Sequence, residues 1–259
     1  LDKSEVTLVD KVRKTESLVL VLLCNRNHES EVCPCQLLES SLVTFTDSNV
    51  KRYIRKGANR DSGNNQTDVI IVDENGNISP DTPLLWDFDS ITTATAYPID
   101  SKEITIRGGR FTTIANNGPS EYTYYARGIA ISRSNTVIDG VYHNIENESL
   151  LSGAPYTAFI YLSCCADVTV KNCTFTGHRT YITIGSAGTP AQMGSYDIGA
   201  AYTVNSKFVN CKQTNDITDI LYWGIAGTNY CKNLMYDGCA LSRYDAHQGV
   251  LNTTIKNSV

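Results

Sequence analysis

From about residue 100 onward, apolar and polar positions alternate in short bursts, and the bursts repeat one phrase. ITIRGGRF (Ile104–Phe111) is followed by TVIDGVYH (Thr136–His143), VTVKNCTF (Val168–Phe175), SKFVNCKQ (Ser206–Gln213) and LMYDGCAL (Leu234–Leu241), and TTIKNSV (Thr253–Val259) begins a sixth copy. The shared order is apolar-x-apolar, a polar residue, Asn or Gly, a compact residue, any residue, then apolar. Alternation at period two predicts a half-buried strand. The Asn/Gly position predicts a sharp bend, because both residues tolerate a left-handed backbone. The compact position holds Gly109, Val141, Cys173, Cys211, Cys239 and Ser258, which predicts an interior ladder of small side chains.

These six positions are 32, 32, 38, 28 and 19 residues apart. A helical solenoid would repeat apolar residues at spacings of three and four, and this chain does not. Variable spacing fits stacked coils from which loops of different length emerge without disturbing the stack. The expectation is an all-β chain folded as a single-stranded parallel β-helix, or β-solenoid. Residues 100–259 form the β-helix, and 1–99 form an irregular N-terminal cap with the first coils.

Within 1–99, Val43–Thr46, Asp68–Asp73 and Leu84–Asp89 read as strands, the last two separated by turn signals at Asp73–Gly76 and Ser79–Pro83. Ser17–Cys24 follows Lys11, Arg13 and Lys14 and resembles the start of a signal peptide, but without a small-residue cleavage site it reads better as a buried strand. Arg52, Arg55, Lys56 and Arg60 read as a solvated basic face. The chain begins at Leu1, and Val259 falls inside a repeat phrase without a capping element. The expectation is a polypeptide that continues, or an end covered by another subunit.

Composition narrows the partners. The 259 residues are 41% hydrophobic with net charge −5, and no run of Lys and Arg marks a nucleic-acid surface. No apolar stretch is long enough for a membrane span. Nine cysteines leave at least one unpaired. Cys33-Pro-Cys35 and Cys164-Cys165 lack the paired spacing of a zinc site, and Cys173, Cys211 and Cys239 read as small buried hydrophobes.

Aligning the copies also aligns the residues just beyond each one. Three positions past the phrase stand Glu146, His178, Asp216 and Tyr244; one further are Asn147, Arg179, Ile217 and Asp245; six past it are Ser149, Tyr181, Asp219 and His247. Stacked coils would gather these groups on one wall. Asp216, Asp219, Asp245 and His247 are the candidate catalytic set, since two carboxylates flanking a glycosidic bond serve as acid and base or nucleophile. His178, Arg179, Tyr181, Trp223, Arg243 and Tyr244 are the candidate substrate contacts, the arginines for uronate or sulfate and the rings for sugar faces. The competing reading is that Asp, Asn and Ser after a bend are solvated turn residues, and that Trp223 is packed core. No cofactor or metal site is expected. Calcium between Asp216 and Asp219 is the one exception to weigh, and no dense oxygen-ligand loop supports it. Gly185–Pro190 and Met193–Asp197 suit a loop beside a groove, and Tyr122, Tyr124 and Tyr125 are a second stacking platform or ordinary strand residues.

The repeat phrase of residues 100–259 resembles the right-handed parallel β-helix, pectate-lyase-like superfamily, which includes polysaccharide lyases, polygalacturonase-like hydrolases and phage tail-spike proteins. The resemblance implies a right-handed coil and a secreted, cell-surface or virion protein, monomeric or trimeric, that binds an extracellular polysaccharide and cleaves it as a hydrolase or lyase. A non-catalytic glycan-binding spike or adhesin, or a structural shaft, is the alternative. The hydrolases' Asn-Thr-Asp, Asp-Asp, Gly-His-Gly order is not matched, because Gly177-His178-Arg179 precedes Asn215-Asp216 and no Asp-Asp pair exists. The lyases' Arg-x-Pro-x-x-Arg pattern is also missing, so the resemblance transfers no catalytic residue.

Overall fold

The computed structural model describes residues 4–8, 22–24, 39–54, 62–115, 128–148, 158–184 and 188–259, and every regular element among them is a β-strand. Ser4–Leu8 (β1), Leu22–Cys24 (β2), Ser41–Arg52 (β3), Asn64–Val72 (β4) and Thr93–Pro98 (β5) form an antiparallel sheet ordered β2-β1-β5-β3-β4. Both faces of its centre are covered. Val43, Phe45, Ile70 and Val72 pack under Leu84 and Phe88, while Leu42 and Val69 face Ala166 and Val204 of the parallel region. Burial on both sides explains the nearly unbroken apolar run in β4.

Two expectations for this region change. Leu84–Asp89 is a covering segment rather than a regular strand, because side chains satisfy its backbone: Leu85 N–H donates to Asp68 Oδ2 at 2.6 Å, and Gln66 Nε2 donates to the Asp87 carbonyl at 3.0 Å. The strands β3, β4 and β5 pair antiparallel with one another, so they are not early passes of the parallel stack.

The parallel region is built from short strands laid down in rotation. The first pass supplies Ile104–Arg107 (β6) and Arg110–Ile114 (β7), and the second Ile129–Ile131 (β8), Thr136–Asp139 (β9) and Tyr142–Glu146 (β10). Next come Ile160–Ser163 (β11), Thr169–Lys171 (β12) and Thr174–Phe175 (β13), then a hairpin of Tyr181–Ile184 (β14) and Pro190–Met193 (β15). Ile198–Ala201 (β16), Lys207–Val209 (β17) and Lys212–Gln213 (β18) come after it, then Ala226–Asn229 (β19) and Met235–Asp237 (β20), and finally Tyr244–Gln248 (β21) and Thr254–Lys256 (β22). Three parallel sheets result: β22-β20-β17-β12-β9-β6, β18-β13-β10-β7 and β21-β19-β16-β11-β8.

The bends fall where the repeat phrase puts them. Gly108, Gly140, Asn172, Asn210, Gly238 and Asn257 all have positive φ, from 51° to 72°. A second left-handed corner runs through Asn135, Asp167, Asn205, Asn233 and Asn252. Its amides link successive passes, Asn233 Nδ2 donating to Asn205 Oδ1 at 2.9 Å and Asn252 Nδ2 to Asn233 Oδ1 at 3.1 Å. Behind the first corner, Val141, Cys173, Cys211 and Cys239 stack as a buried ladder, and the three cysteines are free thiols. Its end positions, Gly109 and Ser258, are not buried. Ile138, Val170, Phe208 and Tyr236 form the neighbouring inward column, with the last two rings stacked at 4.7 Å.

The antiparallel sheet joins the parallel region along its side. Lys232 lies in the lateral column Ala166, Val204, Lys232, Leu251 and is fully buried. Its Nζ meets Asp68 Oδ1 at 2.7 Å and donates to the Pro83 carbonyl at 2.7 Å. Burial pushes the Asp68 carboxyl up and the Lys232 ammonium down, each shift opposed by the other's charge.

Candidate functional site

The connections β7–β8, β10–β11, β13–β16 and β18–β19 all leave from one corner, between the ends of the second sheet and the starts of the third. Connections from a rigid stack thus start and end at equivalent places, the usual position for binding residues. Ser149, Gly185, Tyr122, Tyr124 and Tyr125, along with Cys33, Cys35, Arg55, Lys56 and Arg60, lie outside the described residues.

The aligned candidates separate into groups. Asp216 and Asp219 shape their own loop: Asp216 Oδ1 accepts from the Thr218 N–H and hydroxyl at 2.8 Å each, and Asp219 Oδ1 accepts from the Leu221 N–H at 2.9 Å. The Thr218 bonds hold the Asp216 carboxyl below its usual value. No hydrogen bond or ion pair among the described residues joins either aspartate to Asp245 or His247. Tyr244 packs inward against Tyr236 at 5.2 Å, and its hydroxyl meets Thr253 Oγ1 at 2.8 Å. Tyr181 is buried at the foot of the hairpin. Arg179 lies over the Tyr222 ring at 5.3 Å, and its backbone N–H donates to Glu148 Oε2 at 2.7 Å. Burial raises the Glu148 carboxyl, against the bond from the Arg179 N–H.

Trp223, Arg243, Asp245 and His247 do come together. The Arg243 guanidinium sits 3.8 Å from the Trp223 ring centre. The Tyr196 hydroxyl donates to Asp245 Oδ2. Burial and the Asp245 carboxylate together push the Tyr196 phenol well up. His247 Nδ1 lies 3.9 Å from Asp245 Oδ2, both side chains partly exposed. The pairing register continues this patch along the third sheet, with Tyr161, Gly199, Gly227 and Asp245 side by side on its outer face. The Tyr161 ring fills the space a Cβ on Gly199 would need, and the Tyr196 ring does the same at Gly227. Both glycines are thus required by close approach of a ring.

Beneath the same corner lies a network of which only His178 was expected, as a substrate contact, and it is fully buried instead. His143 Nδ1 and His178 Nε2 approach the Asp197 carboxylate at 2.8 and 3.1 Å, and the Thr176 N–H donates to it at 3.0 Å. At the outer ends, Thr113 Oγ1 lies 2.8 Å from His143 Nε2, and Ser195 Oγ lies 2.6 Å from His178 Nδ1. With both rings neutral the chain pairs throughout: each hydroxyl donates to a ring nitrogen, and each ring donates its N–H to Asp197. His143, His178 and Asp197 are fully buried, and the His143 ring stacks on Phe159 at 3.9 Å. Desolvation works to raise the Asp197 carboxyl, and the bonds from His143 and His178 more than offset it, leaving it below the usual value. The sequence carried one signal. His143 ends its repeat phrase in the apolar slot that Phe111, Phe175 and Leu241 fill in other copies. Asp197 and Ser195 gave none, since they precede a strand outside the phrase.

Among the described residues, no group of three or more His, Cys, Asp or Glu side chains is placed to hold a metal ion. No helix among them is long and apolar enough to cross a membrane.

No protein-family model and no curated protein matches the chain. Among solved structures, a candidate glycosyl hydrolase from Parabacteroides merdae is similar over 61% of this chain and 74% of its own, at 12% identity and a TM-score of 0.35. The tailspike of Acinetobacter baumannii bacteriophage AP22, solved with A. baumannii capsular saccharide, is similar over 99% of this chain, at 11% identity and a TM-score of 0.45. The chain spans 41% of that tailspike's length.

Proposed function

We propose that the three parallel sheets are the faces of one right-handed parallel β-helix, residues 100–259, and that the outer face of its third sheet binds a polysaccharide. The observation that carries this reading is the row Tyr161, Tyr196, Asp245 beside the Arg243–Trp223 stack. Rings laid against a flat sheet offer faces to pyranose C–H groups. Asp245, His247 and Arg243 supply hydrogen bonds for hydroxyls or acidic substituents at the same height. Strand spacing of about 4.8 Å places successive contacts along an extended chain rather than around a compact ligand. A protein with such a wall meets glycans outside the cell, whether secreted or on a virion.

The reading is one of binding. Asp216 and Asp219 each turn Oδ1 to their own loop, and no hydrogen bond or ion pair among the described residues joins them to Asp245 or His247, so the expected four-residue catalytic set is not carried into it. Titration of a panel of neutral and acidic oligosaccharides, followed by isothermal calorimetry, tests the proposal. At least one glycan should bind, and Trp223→Ala and Tyr161→Ala should each weaken it about tenfold or more, the effect of removing an aromatic anchor. Equal affinity in both variants would remove this surface from consideration. Reducing ends released by the native protein, and lost in Asp245→Asn, would add hydrolysis to binding.

A further inference from the structure

Ser195, His178 and Asp197 reproduce a relationship that hydroxyl nucleophiles require: a base within hydrogen-bond reach of the hydroxyl, and a carboxylate on the base's other nitrogen. Ser195 Oγ to His178 Nδ1 is 2.6 Å, and His178 Nε2 to Asp197 Oδ1 is 3.1 Å. Asp197 is held in turn by His143 and the Thr176 N–H, so the carboxylate facing His178 has a fixed orientation. We propose that Ser195 is the nucleophile of an ester hydrolase site, with His178 as its general base and Asp197 and His143 as positioning residues.

Three features make this more than a buried polar cluster. The members come from separate passes and from the return of the β14–β15 hairpin, at the corner from which the connections leave. Within the Ser195–His178–Asp197 set, Ser195 alone retains exposure, at 5%, while both histidines and Asp197 have none. Its chain neighbours belong to the outer patch. Gly194 lies against Trp223 so closely that a Cβ there would collide with the indole, and the Tyr196 hydroxyl donates to Asp245. An acyl group on a glycan held by Trp223 and Tyr196 would therefore lie beside Ser195.

The chemistry balances without a metal or cofactor. Ser195 Oγ bonds to the ester carbonyl carbon while its proton passes to His178 Nδ1. The imidazolium so formed is stabilised across its Nε2–H by Asp197. The carbon–alkoxy bond breaks, and the departing alcohol takes the proton from His178. Water then attacks the acyl-serine, gives a proton to His178, and releases the carboxylic acid as Ser195 Oγ regains its hydrogen. The little exposure at Ser195 favours short acyl groups, and an O-acetyl ester of a sugar hydroxyl is the substrate class. That last assignment rests on the glycan-binding reading, whereas the nucleophile does not.

The full chain treated with a fluorophosphonate probe, then digested and mapped by mass spectrometry, decides the matter without any variant. The expected result is one modified residue, Ser195, and turnover of 4-nitrophenyl acetate that falls about 10³-fold or more in Ser195→Ala and in His178→Gln. Ser195→Ala removes one oxygen, and its thermal melting curve checks that folding survives. No modification at Ser195, or esterase turnover unchanged in Ser195→Ala, would overturn the proposal. Labelling of Ser195 with no acetate released from any O-acetylated glycan would retain the nucleophile and sink only the substrate class.

Discussion

At the level of single residues, the most consequential side chain is Asp197, a carboxylate with no exposure that accepts from two imidazoles and one backbone amide. Replacing it by Asn keeps the volume but sets an NH2 group against a ring N–H, so one histidine must change tautomer or lose its partner. Asp197→Asn should therefore destabilise the fold by about 2–4 kcal/mol in urea unfolding near neutral pH. The pH dependence has a definite sign. The folded-state carboxyl lies below its usual value, so its contribution is fully present above the ordinary carboxylate range and disappears as pH falls through the folded value. Below about pH 5 the native protein should lose stability more steeply than Asp197→Asn, and parallel curves would show that the group carries no linked proton. Cys165 fits a packing role, since burial pushes its thiol up to about 12.

The corner is the element on which the parallel stack depends. A non-glycine residue in the left-handed region loses about 1–2 kcal/mol unless it is Asn or Asp, whose short polar side chains tolerate it. Asn210 has φ 52° and stands between Asn172 and Gly238 in the ladder. Asn210→Ala should cost about 1 kcal/mol, with Asn210→Gly close to neutral, measured by the shift in urea midpoint. Equal losses in both would point to the amide's contacts rather than to backbone strain. These corners were legible in the sequence because φ preference is a property of one residue and needs no neighbour. The inward ladder of Val141, Cys173, Cys211 and Cys239 was legible for a related reason: each repeat puts a compact residue at the same offset from its bend. The β14–β15 hairpin and β16 were not legible, lying between copies where no phrase recurs.

For the molecule as a whole, the decisive contact is Lys232 with Asp68, 164 positions apart in numbering and both fully buried. It ties the antiparallel sheet to the side of the parallel region, with Leu42, Val69, Ala166 and Val204 packed beside it. Removing one partner strands the other charge away from water, so Lys232→Met should cost about 3–5 kcal/mol. The double variant Lys232→Met, Asp68→Leu should recover much of that loss, because replacing a buried pair by apolar groups avoids both desolvation penalties. Thermal unfolding of the two proteins checks this. A double variant as unstable as the sum of its singles would mean that the pair is not coupled.

Periodic alternation, bends and offsets are local regularities, and the all-β architecture, the parallel stacking and the inward thiols can be read from them alone. Candidate chemistry was only half accessible. Asp245 and His247 stood in the aligned bands and do share a wall, joined there by Trp223 and Arg243 from outside those bands, whereas Asp216 and Asp219 turned to the nearest amides, a local alternative that alignment cannot register. The relay from Thr113 through His143, Asp197 and His178 to Ser195, like the lateral docking through Lys232, joins groups whose separation in the chain obeys no repeat. Loop length sets which polar groups meet at a corner, and only the folded backbone brings a donor and an acceptor within about 3 Å of each other.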